Sequence, residues 1–180
     1  IENQNELAYD SDNYVNANLP STRRFGLEAE IKNKIFDNLI FKNNFSFSKA
    51  KYTADPSTGG YGSTVYNNSP KLNGNDIPLV PEYSLYSILE WNIFDSTTLV
   101  TSLKFQDDMR MESDDENFQD TKIPSYLIAN MNLNTKIKKY DISLQMNNIF
   151  NQNYYNYAVS SSNTLGSYNA YPEPGAEFIL

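Results

Sequence analysis

A chain of 180 residues with 14 Lys and Arg against 22 Asp and Glu, net charge −8, lacks the basic stripe with which a protein grips nucleic acid. It has neither cysteine nor histidine; this removes disulfides, thiolate and imidazole metal ligands, and the Cys/His and Ser/His nucleophile systems, and with them most enzymatic readings. Its apolar content is ring-rich, with 14 tyrosines and 10 phenylalanines, and no apolar run approaches the roughly 18–20 residues of a membrane helix.

Residues 1–10 have neither the basic head nor the continuous apolar stretch of a signal peptide, which leaves a cytosolic protein or an internal piece of a longer one. The first regular signal is RFGLEAEIK (24–32). Phe25, Leu27, Ala29 and Ile31 alternate with Arg24, Glu28, Glu30 and Lys32, the period of a strand with one apolar and one wet face. The second run sets Leu39, Phe41, Phe45 and Phe47 against Lys42, Asn44, Ser46 and Ser48, with Asn43 out of place on the apolar side. The third sets Tyr83, Leu85, Leu89, Trp91 and Ile93 against Glu82, Ser84, Glu90 and Asn92, and the fourth Leu99, Leu103 and Phe105 against Ser102, Lys104 and Gln106. In the fifth, Leu127, Ala129, Met131 and Leu133 alternate with Asn130, Asn132 and Asn134. In the sixth, Tyr140, Ile142, Leu144 and Met146 alternate with Asp141, Ser143, Gln145 and Asn147.

Strands of about ten residues exceed the usual five or six of soluble sheets and fit tilted strands that cross a bilayer. The connections alternate as well. NKIFDN, FDSTT and KIKK are tight, whereas 52–81, 106–124 and 155–174 are long and rich in Gly, Asn, Ser and Asp, so one end of the sheet carries turns and the other loops. LPSTRRFGLEAE, VPEYSLYSILEW, IPSYLIANMNL and EPGAEFIL each place a proline just ahead of a strand that follows a long loop, where no ladder donor is needed. These features predict an all-β, antiparallel, up-and-down transmembrane β-barrel, with Tyr52, Tyr83, Tyr86, Tyr126, Tyr154 and Tyr155 as an interfacial girdle. The alternative is a soluble β-sandwich of the glycan-binding kind, whose apolar face would be an inter-sheet core.

The run ISLQMNNIFNQNYYNYA, then a loop and YPEPGAEFIL, resembles the end of the TonB-dependent outer-membrane receptors, in which a penultimate strand leads into an Asn-Leu-Phe-Asn-like turn and a Tyr-Tyr pair. TRRFGLEAE, GNDIPLVPEYSLYSILEW and DDENFQDTKIPSYLIANMNL resemble successive upstream strands of the same family, so the likeness covers nearly the whole chain. Two departures stand out. Ala176 follows Gly175 where the family often has Arg, and the last strand stops at Leu180, short of a terminal aromatic.

The resemblance implies that 1–180 are a partial C-terminal barrel domain, roughly the last seven strands of a barrel of about 22, with the plug and earlier strands absent and the final strand truncated. It implies TonB-dependent import of a scarce solute across a Gram-negative outer membrane, with a ferric siderophore ahead of haem, cobalamin, another chelate or a glycan. A passive porin or adhesin barrel would lack the NIFNQNYYNY ending. The implied partners are the TonB energy-coupling complex, reached through the missing plug, the solute itself and outer-membrane lipid; nucleic acid is not among them.

In such a barrel Phe25, Leu27, Ile31, Phe41, Phe45, Leu85, Leu89, Trp91, Leu103, Leu127, Leu133, Ile142 and Leu144 would face lipid. Arg24, Glu28, Glu30, Glu90, Asn130, Asn132 and Gln145 would line the lumen against the plug. The long loops offer Tyr61, Tyr66, Arg110, Phe118, Tyr168 and Tyr171 for stacking and hydrogen bonding to a ligand. Three further groupings are weighed against plainer readings. The acidic set Asp107, Asp108, Glu112, Asp114, Asp115, Glu116 and Asp120 could hold Ca²⁺ but lacks the spacing of a calcium loop and reads as a solvated one. Arg23 and Arg24 could meet an anion but fit a rim or lumen salt bridge. Glu28 and Glu30 share a face, with nothing nearby to make them a glycosidase pair.

Overall fold

The computed structural model describes residues 2–3, 7–10, 15–18, 20–56, 70–161 and 164–180. In chain order the strands are β1 (Glu2–Asn3), β2 (Leu7–Asp10), β3 (Val15–Asn18), β4 (Thr22–Phe36), β5 (Leu39–Tyr52), β6 (Tyr83–Phe94), β7 (Thr97–Gln106), β8 (Tyr126–Ile137), β9 (Tyr140–Asn147), β10 (Tyr155–Ser160), β11 (Tyr168–Pro172) and β12 (Glu177–Ile179). Eight of them form one antiparallel sheet in the order β1-β4-β5-β6-β7-β8-β9-β12, while β2–β3 and β10–β11 are separate hairpins. The six alternating runs are β4 to β9 and the start of a seventh is β12. The up-and-down order is the one the alternating turns and loops demand.

Register, more than pattern, sets strand length. The alternation of β4 fades after Lys32, yet β5 supplies a partner for every residue from Thr22 (opposite Tyr52) to Lys34 (opposite Ile40), so the strand runs to Phe36. The two-residue β1 carries no period to read. The β10–β11 hairpin lies in what the sequence presents as a long loop.

Pairing aligns the apolar sides into rows. Phe45, Leu85, Phe105 and Leu127 stand opposite one another across four strands, as do Leu39, Trp91, Leu99, Leu133 and Leu144 across five. This face is uncovered: Phe25 is 57% and Leu27 61% exposed. A sandwich would have buried it beneath a second sheet. The expected misfit Asn43 stands opposite Ser87, whose hydroxyl donates to the Asn43 amide oxygen at 2.6 Å, so hydroxyl and amide oxygen satisfy each other within an apolar band.

The turn end is tied by backbone. The Asn92 amide donates to the Asn38 carbonyl at 2.8 Å, the Lys136 amide to the Ser96 carbonyl at 2.8 Å, and Lys138 takes a left-handed conformation (φ 56°) in the β8–β9 turn.

The buried cores lie among the long loops. Ala50, Tyr52, Leu72 and Ile77 form one cluster; Met109, Met111, Ile123 and Ala158 form another. This overturns most of the tyrosine girdle. Tyr52 is 2% exposed inside the first cluster, Tyr86 and Tyr126 fall on the polar face of the sheet, and Tyr154 packs on Tyr126. Of the girdle strands only Tyr83 joins the apolar face, where its ring lies 5.3 Å from that of Phe47. Counting tyrosines near strand ends ignored the parity that assigns each ring to a side.

Candidate functional site: the concave face and the loop cap

The polar face of the sheet is hollowed. A cavity of about 470 Å³ is lined by Glu28, Glu30, Asn44, Ser46, Ser84, Tyr86, Lys104 and Gln106 together with Ala29, Phe45, Leu85 and Phe105, and a second of about 390 Å³ by Tyr86, Lys104, Asn130, Asn147, Asn148 and Tyr154 among others. Arg24, Glu28, Glu30, Glu90, Asn130, Asn132 and Gln145 all fall on this face by register. Glu90 accepts from Lys42 at 3.1 Å. Asn130 donates to the Ser102 hydroxyl at 3.3 Å, Ser143 donates to Asn132 at 3.0 Å, and Gln145 donates to Asn147 at 2.9 Å. Glu28 and Glu30 are exposed. Tyr86, Lys104, Tyr126 and Tyr154 belong to the same surface and were not among the residues expected there; for Tyr86, on the wet side of β6, counting parity would have found it.

The stretch NIFNQ explains how the chain leaves the sheet. Pairing of β9 with β8 ends at Met146 opposite Met131, and the upper part of β8 is then served by two side-chain bonds and one backbone bond. The Asn148 amide donates to Asn130 Oδ1 at 2.9 Å, the Ile149 amide to the Ala129 carbonyl at 2.9 Å, and the Leu127 amide to Gln152 Oε1 at 3.2 Å. Asn148 and Asn151 both adopt φ 47°, a region asparagine tolerates better than most residues. Asn148 Nδ2 also donates to the Gln152 and Pro174 carbonyls at 2.9 and 3.2 Å, pinning the turn to the start of β12. Asn151 Oδ1 accepts from the Ala176 amide at 2.9 Å, and a Cβ at Gly175 would lie 2.7 Å from that oxygen, so a larger residue there would displace the Asn151 amide from this bond.

Above the sheet the loops are bolted together. Asn117 imitates a strand residue: its Oδ1 accepts from the Asp76 amide and its Nδ2 donates to the Asp76 carbonyl, each at 2.9 Å. The Leu79 amide donates to the Arg110 carbonyl at 3.0 Å, and Tyr52 Oη donates to Asp115 at 2.5 Å. The Glu112 amide donates to the Ala158 carbonyl and the Ser160 amide to the Glu112 carbonyl, both at 2.9 Å. Gln119 reaches the β10–β11 loop from three sides, donating to the Ser161 and Thr164 carbonyls at 2.7 and 3.1 Å and accepting from the Gly166 amide at 2.7 Å.

Of the six expected ligand contacts in the loops, Tyr61 and Tyr66 lie outside the described residues. Arg110 points inward, its Nη1 donating to Asp114 Oδ2 at 3.1 Å and to the Gln119 carbonyl at 2.6 Å. Phe118 is 48% exposed. Tyr168 and Tyr171 sit on β11, their rings 6.4 Å from Tyr155 and 5.3 Å from Tyr157 respectively. The acidic set is dispersed among structural tasks: Asp114 on Arg110, Asp115 on Tyr52, Asp108 on Lys122 at 2.6 Å. Among the described residues no group of three or more carboxylates could hold a metal ion.

Local electrostatics follow burial and hydrogen bonding. Burial, then the hydrogen bond with Tyr168, pushes the Tyr155 hydroxyl up to about 12. Burial also raises Tyr154, helped by Glu173 and Tyr126. The Asn73 amide, with smaller help from the Leu72 amide and Lys71, holds Asp55 below its usual value against the opposing effect of desolvation. This surface offers amides, hydroxyls, rings and a few charges on a concave wall.

Comparison with known proteins agrees with this geometry. The family profile described as TonB dependent receptor-like, beta-barrel matches residues 1–149. No curated protein matches the chain. Among solved structures, the siderophore receptor PiuA from Acinetobacter baumannii superposes with a TM-score of 0.70 at 18% identity, covering 97% of this chain and 23% of that one. The ferric-catecholate import receptor Fiu from E. coli K12 in its closed form gives 0.67 at 16% identity, covering 98% and 23%. The ferric yersiniabactin uptake receptor FyuA from Yersinia pestis gives 0.68 at 17% identity, covering 91% and 23%. The chain thus spans 23% of the length of each of these receptors.

Proposed function

Given that this chain belongs to the TonB-dependent receptor β-barrel family, we propose that it is part of the wall of an active importer in a Gram-negative outer membrane, and that the complete protein takes up a ferric siderophore with energy delivered by the TonB complex through its plug. The single observation that carries this reading is the contrast between the two faces of the sheet. One is an apolar surface left uncovered across six strands, the kind of exposed patch that marks contact with a membrane or partner. The other is concave and carries the polar side chains of the strands. Lipid satisfies the first, and a plugged lumen the second. The chain acts as carrier and not as catalyst, which its lack of histidine and cysteine supports. The solved receptors of siderophores and ferric chelates it resembles favour iron as the cargo.

Open backbone also asks for the rest of a barrel. β1 pairs with β4 only at Glu2–Arg23 and Asn3–Thr22, so the greater part of the outer edge of β4 has no strand beside it among the described residues. Bare ladder groups are not tolerated in hydrocarbon. The test is to express the complete receptor in an outer-membrane-bearing host lacking its own siderophore receptors and follow uptake of radioactive iron chelates with and without a functional TonB. TonB-dependent uptake with a heat-modifiable barrel band is the expected outcome. Uptake indifferent to TonB would make the protein a passive pore.

A further inference from the structure

A polar stripe crosses the apolar face. Asn33 on β4, Asn43 on β5, Ser87 on β6 and Thr101 on β7 all carry the parity of the apolar rows. Register makes them contiguous: Asn43 stands opposite Ser87, while Asn33, opposite Phe41, and Thr101, opposite Leu89, sit one diagonal step to either side. Apolar side chains flank each of the four along its own strand. Phe41 and Phe45 bracket Asn43, and Leu85 and Leu89 bracket Ser87, so the stripe falls inside the apolar band and not at its margin. One hydrogen bond serves it, from the Ser87 hydroxyl to Asn43 Oδ1. The Asn43 amide nitrogen, the Asn33 amide and the Thr101 hydroxyl have no partner among the described residues. Nearer the turns, by contrast, the Thr97 and Thr135 hydroxyls satisfy each other at 2.8 Å. Lipid tails offer neither donor nor acceptor, so amides and hydroxyls left facing them are costly.

We propose that this stripe is the contact between two copies of the receptor, related by a twofold axis along the membrane normal through its middle, between Asn43 and Ser87. The inference rests on the reading of the apolar face as lipid-facing and is independent of the solute imported. Across the strands the stripe runs amide, amide, hydroxyl, hydroxyl. A twofold axis at its centre therefore sets the amides of one copy against the hydroxyls of the other, and every bond made in one direction is repeated in the other. Both copies insert in the same sense and present the stripe at the same depth, a match that an unrelated membrane protein has no reason to reproduce. Ala29, opposite Phe45, and Ser87, opposite Asn43, are small and keep the surface low beside the larger rings, which lets two walls approach closely.

The experiment uses the complete receptor, fluorescently labelled, in phosphatidylcholine vesicles, with dimerisation read by energy transfer as the protein-to-lipid ratio is varied. Wild type is expected to dimerise. Asn43→Leu combined with Ser87→Ala should weaken the dimer about tenfold, and Asn33→Leu or Thr101→Val by a smaller factor. Leu144→Ala, on the same face but on β9, should leave it unchanged, and a heat-modifiable band for every variant shows that the barrel itself has formed. A wild type that is monomeric at every ratio, a dimer indifferent to the double variant, or one weakened as much by Leu144→Ala overturns the proposal. So does cross-linking through position 33 to a different protein in the native membrane. Quenching of a fluorophore at Leu144→Cys by brominated lipid tests the face separately. Quenching without dimerisation overturns the second copy alone; absence of quenching overturns the lipid-facing reading and the contact with it.

Discussion

Asn43 and Ser87 show how a polar residue survives on an apolar wall. Their side chains meet at 2.6 Å across β5 and β6, hydroxyl to amide oxygen. Replacing one partner strands the other, and Ser87→Ala is expected to cost about 1–3 kcal/mol, whereas Ser87→Ala combined with Asn43→Leu should be close to neutral. Denaturant unfolding of the complete barrel in lipid, read as a double-mutant cycle, checks this; additive single effects would dismiss the pair. Tyr155 gives a pH-dependent counterpart. Its hydroxyl is raised from 10.0 to about 12 in the fold, so the neutral form is favoured there. The resulting stability is fully present below the unfolded value and is lost as pH climbs through the folded one. The β10–β11 hairpin should therefore loosen between pH 10 and pH 12, seen as a change in tyrosine near-ultraviolet dichroism, and Tyr155→Phe should flatten that window. Asp55 acts in the opposite sense. Held below 3.8 by the amides it accepts, it steadies its loop at neutral pH and releases it in acid.

At the scale of elements, the long loops behave as one body. Segments 70–80, 107–125 and 155–172 exchange backbone and side-chain hydrogen bonds and, with Ala50 and Tyr52 at the end of β5, bury two small cores. Asn117 is the bolt between the first two, and Asn117→Ala removes both bonds to Asp76 at once. The expected result is faster amide exchange at Asp76 and Ile77 in the complete receptor, with a stability loss of about 1–3 kcal/mol confined to the cap and no change in exchange along β8. Uniform protection would mean that the loops are held by their apolar clusters alone. Gly26 plays a similar local part in the wall: a Cβ there would collide with the Phe47 carbonyl, so β4 and β5 approach at a point only glycine permits.

For the whole molecule, the question is which face meets lipid. Leu89 lies mid-strand in the apolar rows and Asn132 mid-strand on the polar face. Arginine at position 89 should cost about 2–4 kcal/mol, and arginine at position 132 much less. Unfolding of each variant in lipid vesicles measures the difference, and equal costs would reverse the assignment of faces.

Much of this was legible because a strand wall writes itself into sequence at period two. The alternation in RFGLEAEIK or LIANMNLN survives any tertiary context, since one side of each strand must be apolar for the length of the membrane. So must the short-turn, long-loop rhythm and the prolines two residues before β4, β6 and β8. Sequence reasoning stalled where position depends on partners far along the chain. Arg110, expected to meet a ligand, is engaged by Asp114 and the Gln119 carbonyl. Lys104 and Tyr86 line two cavities only because pairing places them side by side.

The chain by itself determined its class, the six long strands β4–β9, their two faces and the order in which they pair, because each of these is fixed by local periodicity and nearest-neighbour connection. Tertiary structure alone decided which tyrosines are buried, how NIFNQ releases the chain from β9, and that Arg110 turns inward onto Asp114 and the Gln119 carbonyl. These depend on register and on loops folding over distant strands, and a residue's own neighbourhood in sequence does not encode them.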